Sequence, residues 1–354
     1  MKNKRAFPIG STILFLSVLL LVSIVITSCM GAVRIAPYDT LRLLCYHLFG
    51  MFPENVSELL GTSIEAIVWK IRFPRILLGV AVGAGLSLCG VAMQATVQNP
   101  LAEPYILGIS SGASLFATFS IMLGFGSVTF LNLSAVPFWA FLGALAASFL
   151  VLFLASAGSK ITSAKLILSG AIINALCTAF SNFIITIAGS AEGMMDLKFW
   201  TMGSLARADW DNIWVPLFSV LLLFLLYLLT FRPMNTLLMG DEAAITLGIN
   251  LGFYRKLYLI TASFVTGILV ATCGEIGFVG LDVPHVVRAL VGADHRRLVP
   301  VSALFGSMFV LWADALARTL IYNAELPVGI LTAFVGAPVF AWMLLKKNYS
   351  FSRE

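Results

Sequence analysis

Charged residues are scarce in this sequence. Only 11% of its 354 residues are Asp, Glu, Lys or Arg, 60% are hydrophobic, and the mean hydropathy is +0.98. Soluble domains average about 25% charged and about 45–50% apolar residues. The stretch 104–159 contains no charged residue at all. Such a stretch cannot form a water-exposed surface, so a soluble fold is excluded and a polytopic membrane protein is predicted.

The sequence also lacks the motifs of several catalytic and cofactor sites. No GxxxxGK[ST] phosphate-binding loop occurs, so we expect that this chain is not itself an ATP-hydrolysing enzyme. The five cysteines form no CxxC pair, the three histidines are far apart, and there is no HExxH motif. No metal centre and no cofactor are therefore predicted. The net charge of +5 is spread between apolar runs, without the dense basic patch typical of nucleic-acid binding.

Apolar segments of membrane-spanning length follow one another along the chain, and their continuity favours helices over barrel strands. The first is longer than the hydrophobic region of a signal peptide, so we interpret it as a transmembrane helix. The eighth is short and contains Pro284, which favours a broken or half-depth helix. We predict an all-α single transmembrane domain over residues 1–354, with about ten spans at 9–30, 76–97, 105–125, 136–157, 166–189, 213–231, 257–274, 277–292, 299–318 and 327–345.

The distribution of lysine and arginine predicts the orientation of these spans. With a cytoplasmic N-terminus, 14 basic residues lie inside and 8 outside, in agreement with the positive-inside rule. Both termini are then cytoplasmic. Arg72 and Arg75, in the stretch IRFPR, and Arg318 fall on the outer face, against this bias. One interpretation of these arginines is structural, as anchors of helix ends.

Two further patterns concern packing and docking. Gly79 and Gly83 form a GxxxG pair, which indicates close approach of helix backbones. The inner connection 232–256 carries helix signals, since Pro233 should stop the sixth span and DEAAITLG has acidic residues at its start and a glycine at its end. This connection is either an ordinary amphipathic loop or a docking element.

Acidic residues are few within the predicted spans. Glu275, Asp282 and Asp314 fall near predicted helix ends. A proton- or sodium-coupled secondary carrier usually needs buried acids or unwound helices near the membrane midplane, and we expect little of either here. A secondary carrier is therefore disfavoured, although it stays an alternative, as does a structural or receptor membrane protein.

Four stretches carry a resemblance to a known family. They are RFPRILLGVAVGAGLSLCGVAMQATVQNPLAEPYILGISSGA (72–113), RPMNTLLMGDEAAITLGI (232–249), GEIGFVGLDVPHVVRALVGADHRRLVP (274–300) and ADALARTLIYNAELPVGILTAFVGAPVFAWMLLKK (313–347). In order and spacing they resemble the permease subunits of FecCD-like ABC importers for iron–siderophore complexes, haem and vitamin B12. The similarity begins at about residue 65, and the first 60 residues carry almost no signature.

The resemblance implies a type II ABC importer permease that works as a homodimer, or paired with a related permease, with the translocation path at the subunit interface. Two ATP-binding subunits would dock on the cytoplasmic side, and an extracytoplasmic substrate-binding protein would deliver the cargo outside. The permease would lie among the lipids of the bacterial cytoplasmic (inner) membrane and bind no nucleic acid. An iron(III)–siderophore is the preferred cargo, and haem and cobalamin are the alternatives.

The resemblance also implies roles for particular residues. Arg72, Arg75 and Arg318 would pair with acidic residues of the binding protein. The segment 232–256 would form coupling helices that sit in a cleft of the ATPase and transmit its closure as a rigid-body movement. The positions that match the coupling motif are Gly240, Asp241, Glu242, Ala243, Leu247 and Gly248.

Overall fold

We describe the fold from a computed structural model of the chain, over residues 9–51, 56–124, 135–157, 162–239, 247–321 and 324–345. These residues are nearly all helical, and the β-structure among them is an isolated bridge between Ile321 and Ala324. In chain order the helices are α1 (Ile9–Cys29), α2 (Pro37–Phe49), α3 (Phe73–Val97), α4 (Ile109–Leu123), α5 (Ala135–Ser156), α6 (Ser163–Ala188), α7 (Ala191–Thr201), α8 (Trp214–Leu229), α9 (Phe231–Met239), α10 (Leu251–Cys273), α11 (Val279–Val291), α12 (His295–Ala317) and α13 (Val328–Leu345).

Each of the ten predicted spans corresponds to one of these helices, so the all-α membrane fold is confirmed. Within the described ranges, six helices are long and apolar enough to cross a membrane alone, and the bent pair α8 and α9 makes a seventh. Helices α4 and α13 are shorter apolar helices. The eighth predicted span, which we expected to be short or broken, corresponds to α11, which has 13 residues and contains Pro284.

Helix α3 lies at the centre of the bundle, where it packs against α12, α10, α11 and α8. A π-helical turn, Ala66–Arg72, precedes it. Pro74 lacks a backbone N–H, which explains why the regular helical hydrogen bonding is interrupted there. The side chains of α3 are buried along almost its whole length, because neighbouring helices cover it on all sides. Helices α4 to α7 form a second hydrophobic core together with the end of α3 and part of α10.

Two glycines of α3 allow direct backbone contact with neighbouring helices. A Cβ atom added at Gly83 would lie 2.1 Å from the carbonyl oxygen of Gly306 in α12. One added at Gly90 would lie 1.8 Å from the carbonyl oxygen of Gly280 in α11. By contrast, Gly79 faces only the end of the Leu205 side chain, at 3.3 Å. The close crossing therefore involves Gly83 of the predicted GxxxG pair, while Gly79 meets a side chain that can move.

Two unwound segments lie in the interior of the described part of the bundle. Residues 274–278 connect α10 to α11, with positive φ angles at Gly274 (72°) and Phe278 (67°). The 3-10 turn Pro104–Leu107 connects α3 to α4. The hydroxyl of Tyr105 joins the two, since it donates to the carbonyl of Ile276 at 3.0 Å and accepts from its amide at 3.3 Å. The expectation of few unwound elements was wrong, because short connections between apolar runs look like ordinary loops in a sequence.

The depth of this unwound region follows from its contact with α6. A Cβ atom added at Gly170 would lie 2.0 Å from the carbonyl oxygen of Ile106. Gly170 lies about 10 Å along α6 from its first residue, at the helical rise of about 1.5 Å per residue. Helix α6 has 26 residues. The 3-10 turn therefore lies well inside the length of the bundle.

The close crossing at Gly83 can be tested by adding one methyl group. We expect Gly83→Ala to lower the thermal midpoint of the purified protein, because α3 and α12 must separate, with a cost of about 1–3 kcal/mol typical of overpacking. Gly79→Ala is the matched control and should change the midpoint less. Thermal unfolding in detergent, followed by tryptophan fluorescence, measures both. Equal midpoints for the two variants would contradict the assigned crossing.

Candidate functional site

Arg75 and Arg318 share one buried carboxylate at one end of the bundle. Arg75 Nη2 lies 2.8 Å from Asp314 Oδ1, and Arg318 Nε lies 3.0 Å from Asp314 Oδ2. Arg75 also pairs with Glu325 at 2.8 Å. Asp314 is 3% exposed, whereas the Glu325 side chain is 53% exposed. The two arginines are thus neutralised inside the protein, as buried charges must be.

Arg72 and Arg318 bind the backbone where α1 ends. Arg72 donates to the carbonyl oxygens of Ser28, at 2.8 Å, and Val33. Arg318 donates to the carbonyl oxygens of Met30, at 3.0 Å, and Thr27, at 3.3 Å. The last carbonyls of a helix have no partner within the helix, and the five donors of a guanidinium group suit several of them at once.

The three predicted docking arginines therefore lie together, as the topology implied, but their side chains are buried among acceptors of this chain. Binding to a partner protein by these side chains stays a prediction. The structure adds Asp314 and Glu325 to the cluster. The spacing of Asp314 and Arg318, four residues apart on one helix face, was the available signal for the first of them. No local pattern connects Glu325 to Arg75, which is 250 residues away.

The predicted coupling segment is described only at its two sides. Helix α8 ends at Leu229, and α9 leaves it at an angle of 63°. The break precedes Pro233 by one helical turn, because its ring would clash with the carbonyl of Leu229. Gly240, Asp241, Glu242 and Ala243 lie outside the described residues. Leu247 is 59% exposed, and Gly248 has a positive φ of 68° in the turn before α10.

Helix α9, which leads into the coupling segment, is attached to two spans. Asn235 donates to the carboxylate of Asp294 at 2.8 Å and accepts from the amide of His295, at the start of α12, at 2.8 Å. Gln98, at the end of α3, donates to the carbonyl of Leu237 at 2.5 Å. Burial opposes ionisation of Asp294, but the hydrogen bonds from Asn235 and from the backbone of Arg296 outweigh it and lower its pKa. Sequence analysis missed Asn235, whose partners are distant in the chain.

Three carboxylates lie close to the unwound segments. Glu103 precedes the 3-10 turn, Glu275 lies between α10 and α11, and Asp282 is in the first turns of α11. Asp282 is 6% exposed, and neither of its oxygens has a hydrogen-bond partner among the described residues. Glu275 and Asp282 do lie near helix ends, as predicted. However, the helix end at Asp282 lies inside the bundle, where this acid is buried, which the sequence did not indicate.

Comparison with known proteins gives consistent matches along the chain. The profile of the FecCD transport family matches residues 19–346. The hemin transport system permease protein HmuU of Yersinia pestis is 40% identical over 303 residues, which is 84% of this chain and 90% of that protein. The vitamin B12 import system permease protein BtuC of Citrobacter koseri is 36% identical over 333 residues, which is 94% of this chain and 93% of that protein.

A solved structure is similar over nearly the whole chain. It is described as an inward-facing conformation of a metal-chelate type ABC transporter, and it superposes with a TM-score of 0.79 at 29% sequence identity. The superposition covers 96% of this chain and 100% of that one. Sequence and structure comparisons therefore agree on the class of protein.

The shared carboxylate of Asp314 can be tested by neutralising it. We expect Asp314→Asn to lower the thermal midpoint strongly, because the two buried arginines lose the carboxylate that they share and Glu325 is left as their acidic partner. Breaking such a buried pair costs about 3–5 kcal/mol. Glu325→Gln is the control, since its half-exposed pair should contribute under about 1 kcal/mol. The two midpoints are compared in detergent at neutral pH. A small and equal effect of both substitutions would show that the cluster does not stabilise this end of the bundle.

Proposed function

Since this chain belongs to the FecCD transport family, we propose that it forms the transmembrane part of an importer whose cargo is an iron(III)–siderophore. It is an ABC importer permease of the metal-chelate, haem and vitamin B12 type, and it is not an enzyme, because the ATPase is a separate subunit. The observation that carries the proposal is the close superposition, over 96% of this chain, with a metal-chelate type ABC transporter.

Haem is the second candidate cargo. The specific observation in its favour is the 40% identity to a permease named for hemin transport. Cobalamin is a third, supported by the 36% identity to a permease named for vitamin B12 import. All three are bulky metal chelates, so the fold by itself does not distinguish them.

The assembly that we propose has a second permease copy, two ATPase subunits and a binding protein. Helices α6 and α13 carry many exposed apolar side chains, which supports a partner subunit or lipid at these faces. The ATPases would dock at the end that carries the coupling segment 232–256, with both termini on that cytoplasmic side of the inner membrane. The binding protein would dock at the opposite end, which carries Arg72, Arg75 and Arg318.

The cargo is tested by uptake into proteoliposomes that contain the permease and its partner ATPase. The cognate binding protein is added outside, with a radioiron-labelled hydroxamate siderophore, haem or radiocobalt-labelled cobalamin. We expect ATP-dependent uptake of the siderophore alone. Uptake of haem or cobalamin instead would overturn the proposal of a siderophore cargo but leave the proposed import function intact. Uptake without ATP would overturn the importer.

The docking role of Arg72 is tested by comparing Arg72→Lys, Arg72→Gln and Arg72→Glu. If Arg72 contacts acids of the binding protein, Lys should retain docking, Gln should weaken it and reduce its salt dependence, and Glu should weaken it most. If Arg72 acts only by holding the carbonyls of Ser28 and Val33, Lys and Gln should weaken docking equally, because neither supplies a guanidinium fork. Affinity for the binding protein is measured at low and high salt. The same series at Arg318 provides a second case.

The coupling role of the segment 232–256 is tested at Leu247 and Ala243. We expect Leu247→Glu, or Ala243→Glu, to lower ATPase activity that depends on transport, because a bulky charge disturbs an apolar docking surface. Leu247→Met keeps the size and polarity and serves as the control. ATPase activity is measured in proteoliposomes with and without binding protein and cargo. Normal membrane insertion with unchanged coupling in the glutamate variants would contradict the assignment.

A further inference from the structure

One side of α6 carries a stripe of polar side chains. Asn174, Thr178, Asn182 and Thr186 follow one another at intervals of four residues, and all four are exposed. Residues at this spacing lie on the same side of a helix. Their neighbours on α6 are mostly apolar. Because polar groups are costly in hydrocarbon, this side of α6 should face water or protein rather than lipid.

The stripe borders a recess of about 510 Å³ between α6 and α4. Hydroxyl and amide groups from both helices line it, namely Ser110, Ser111, Ser114 and Thr118 of α4, and Asn174, Thr178, Ser181 and Asn182 of α6. Two of these hydroxyls donate to backbone carbonyls, Ser111 to Gly108 at 3.0 Å and Thr118 to Ser114 at 2.7 Å. A hydroxyl whose proton is already donated to a backbone carbonyl can only accept a further hydrogen bond.

Two carboxylates line the same recess. They belong to Glu103 and Glu275, which come from the two unwound segments that Tyr105 joins. The backbone of Glu275 is closely packed, since a Cβ atom added at Gly203 would lie 2.2 Å from its carbonyl oxygen. An ionised carboxylate only accepts hydrogen bonds. Among the described residues that line the recess there is no Lys, Arg or His. The recess therefore contains two carboxyl groups and several hydroxyl and amide oxygens that can accept hydrogen bonds, and its described lining holds no basic side chain that would neutralise the carboxyls.

We propose that this recess is a water-filled binding site along the path of the cargo. It admits cationic or hydrogen-bond-donating groups of a chelate and repels free carboxylates. Its volume is in the range of pockets for drug-sized ligands, so it suits a peripheral group of a large chelate. Glu103 and Glu275 determine the selectivity, and the hydroxyl and amide groups replace water around the bound group. This proposal rests on the chelate import proposed above, and it favours chelates with amine or amide groups at their edge.

The test measures the recess directly, without transport. The five native cysteines are replaced by serine or alanine, and Ser114→Cys or Thr178→Cys is introduced singly. Each variant is treated in proteoliposomes with a cationic and an anionic methanethiosulfonate reagent, and each rate is divided by that of a free thiol in solution. We expect both cysteines to react, and the cationic reagent to be favoured several-fold. Phe149→Cys is the control, because this 69% exposed position on α5 lies on the apolar surface and should not react.

The contribution of the carboxylates is tested in the same cysteine variants. Glu103→Gln and Glu275→Gln, singly and together, should reduce the preference for the cationic reagent towards the free-thiol value. High salt should also reduce the preference for the cationic reagent in the cysteine variants that keep both glutamates. This measurement needs no glutamate substitution. The proposal is overturned if neither cysteine reacts, or if the preference is absent or independent of both glutamates and salt. These outcomes leave the uptake experiment unaffected, so a failure here is distinguishable from a failure of the import function.

Discussion

The structure depends on the close contact of α3 with its neighbours, which is possible because Gly83 and Gly90 have no Cβ atom. The contact of Gly83 with Gly306 brings α3 and α12 together, and it is this crossing that allows Arg75 to reach Asp314. The contact of Gly90 with Gly280 holds the start of α11 inside the bundle. Both the arginine cluster and the unwound interior therefore follow from the packing of one helix.

Two clusters of charged residues differ in the partners that they have among the described residues. At the arginine end, Arg75, Arg318 and Asp314 neutralise one another, and the remaining guanidinium donors bind backbone carbonyls. Around the unwound segments, Asp282 is buried without a hydrogen-bond partner among the described residues, and the lining of the neighbouring recess includes Glu103 and Glu275. A matched charge stabilises the fold. Carboxylates without a basic partner are costly inside a membrane protein.

Helix α3 also connects the two ends of the bundle. At one end Arg75 binds Asp314, and at the other Gln98 binds the backbone of α9, which leads into the coupling segment. Between them, Gln94 donates to the carbonyl of Leu281 at 3.1 Å and accepts from Arg288 at 2.8 Å. The end of α9 is thus connected through α3 to α11 and α12.

The sequence by itself determined the membrane class, the approximate positions of the spanning helices and the family, because long apolar runs and extended motifs are local properties of the chain. It also indicated that Arg72, Arg75 and Arg318 share a face, since alternating spans place them there. Only the tertiary structure decided that these arginines are buried, that Gly83 rather than Gly79 lies at a backbone crossing, and that Glu103 and Glu275 line one recess. The physical reason is that each of these facts depends on contacts between residues far apart in the chain, such as Arg75 with Glu325, for which periodicity and hydropathy contain no signal.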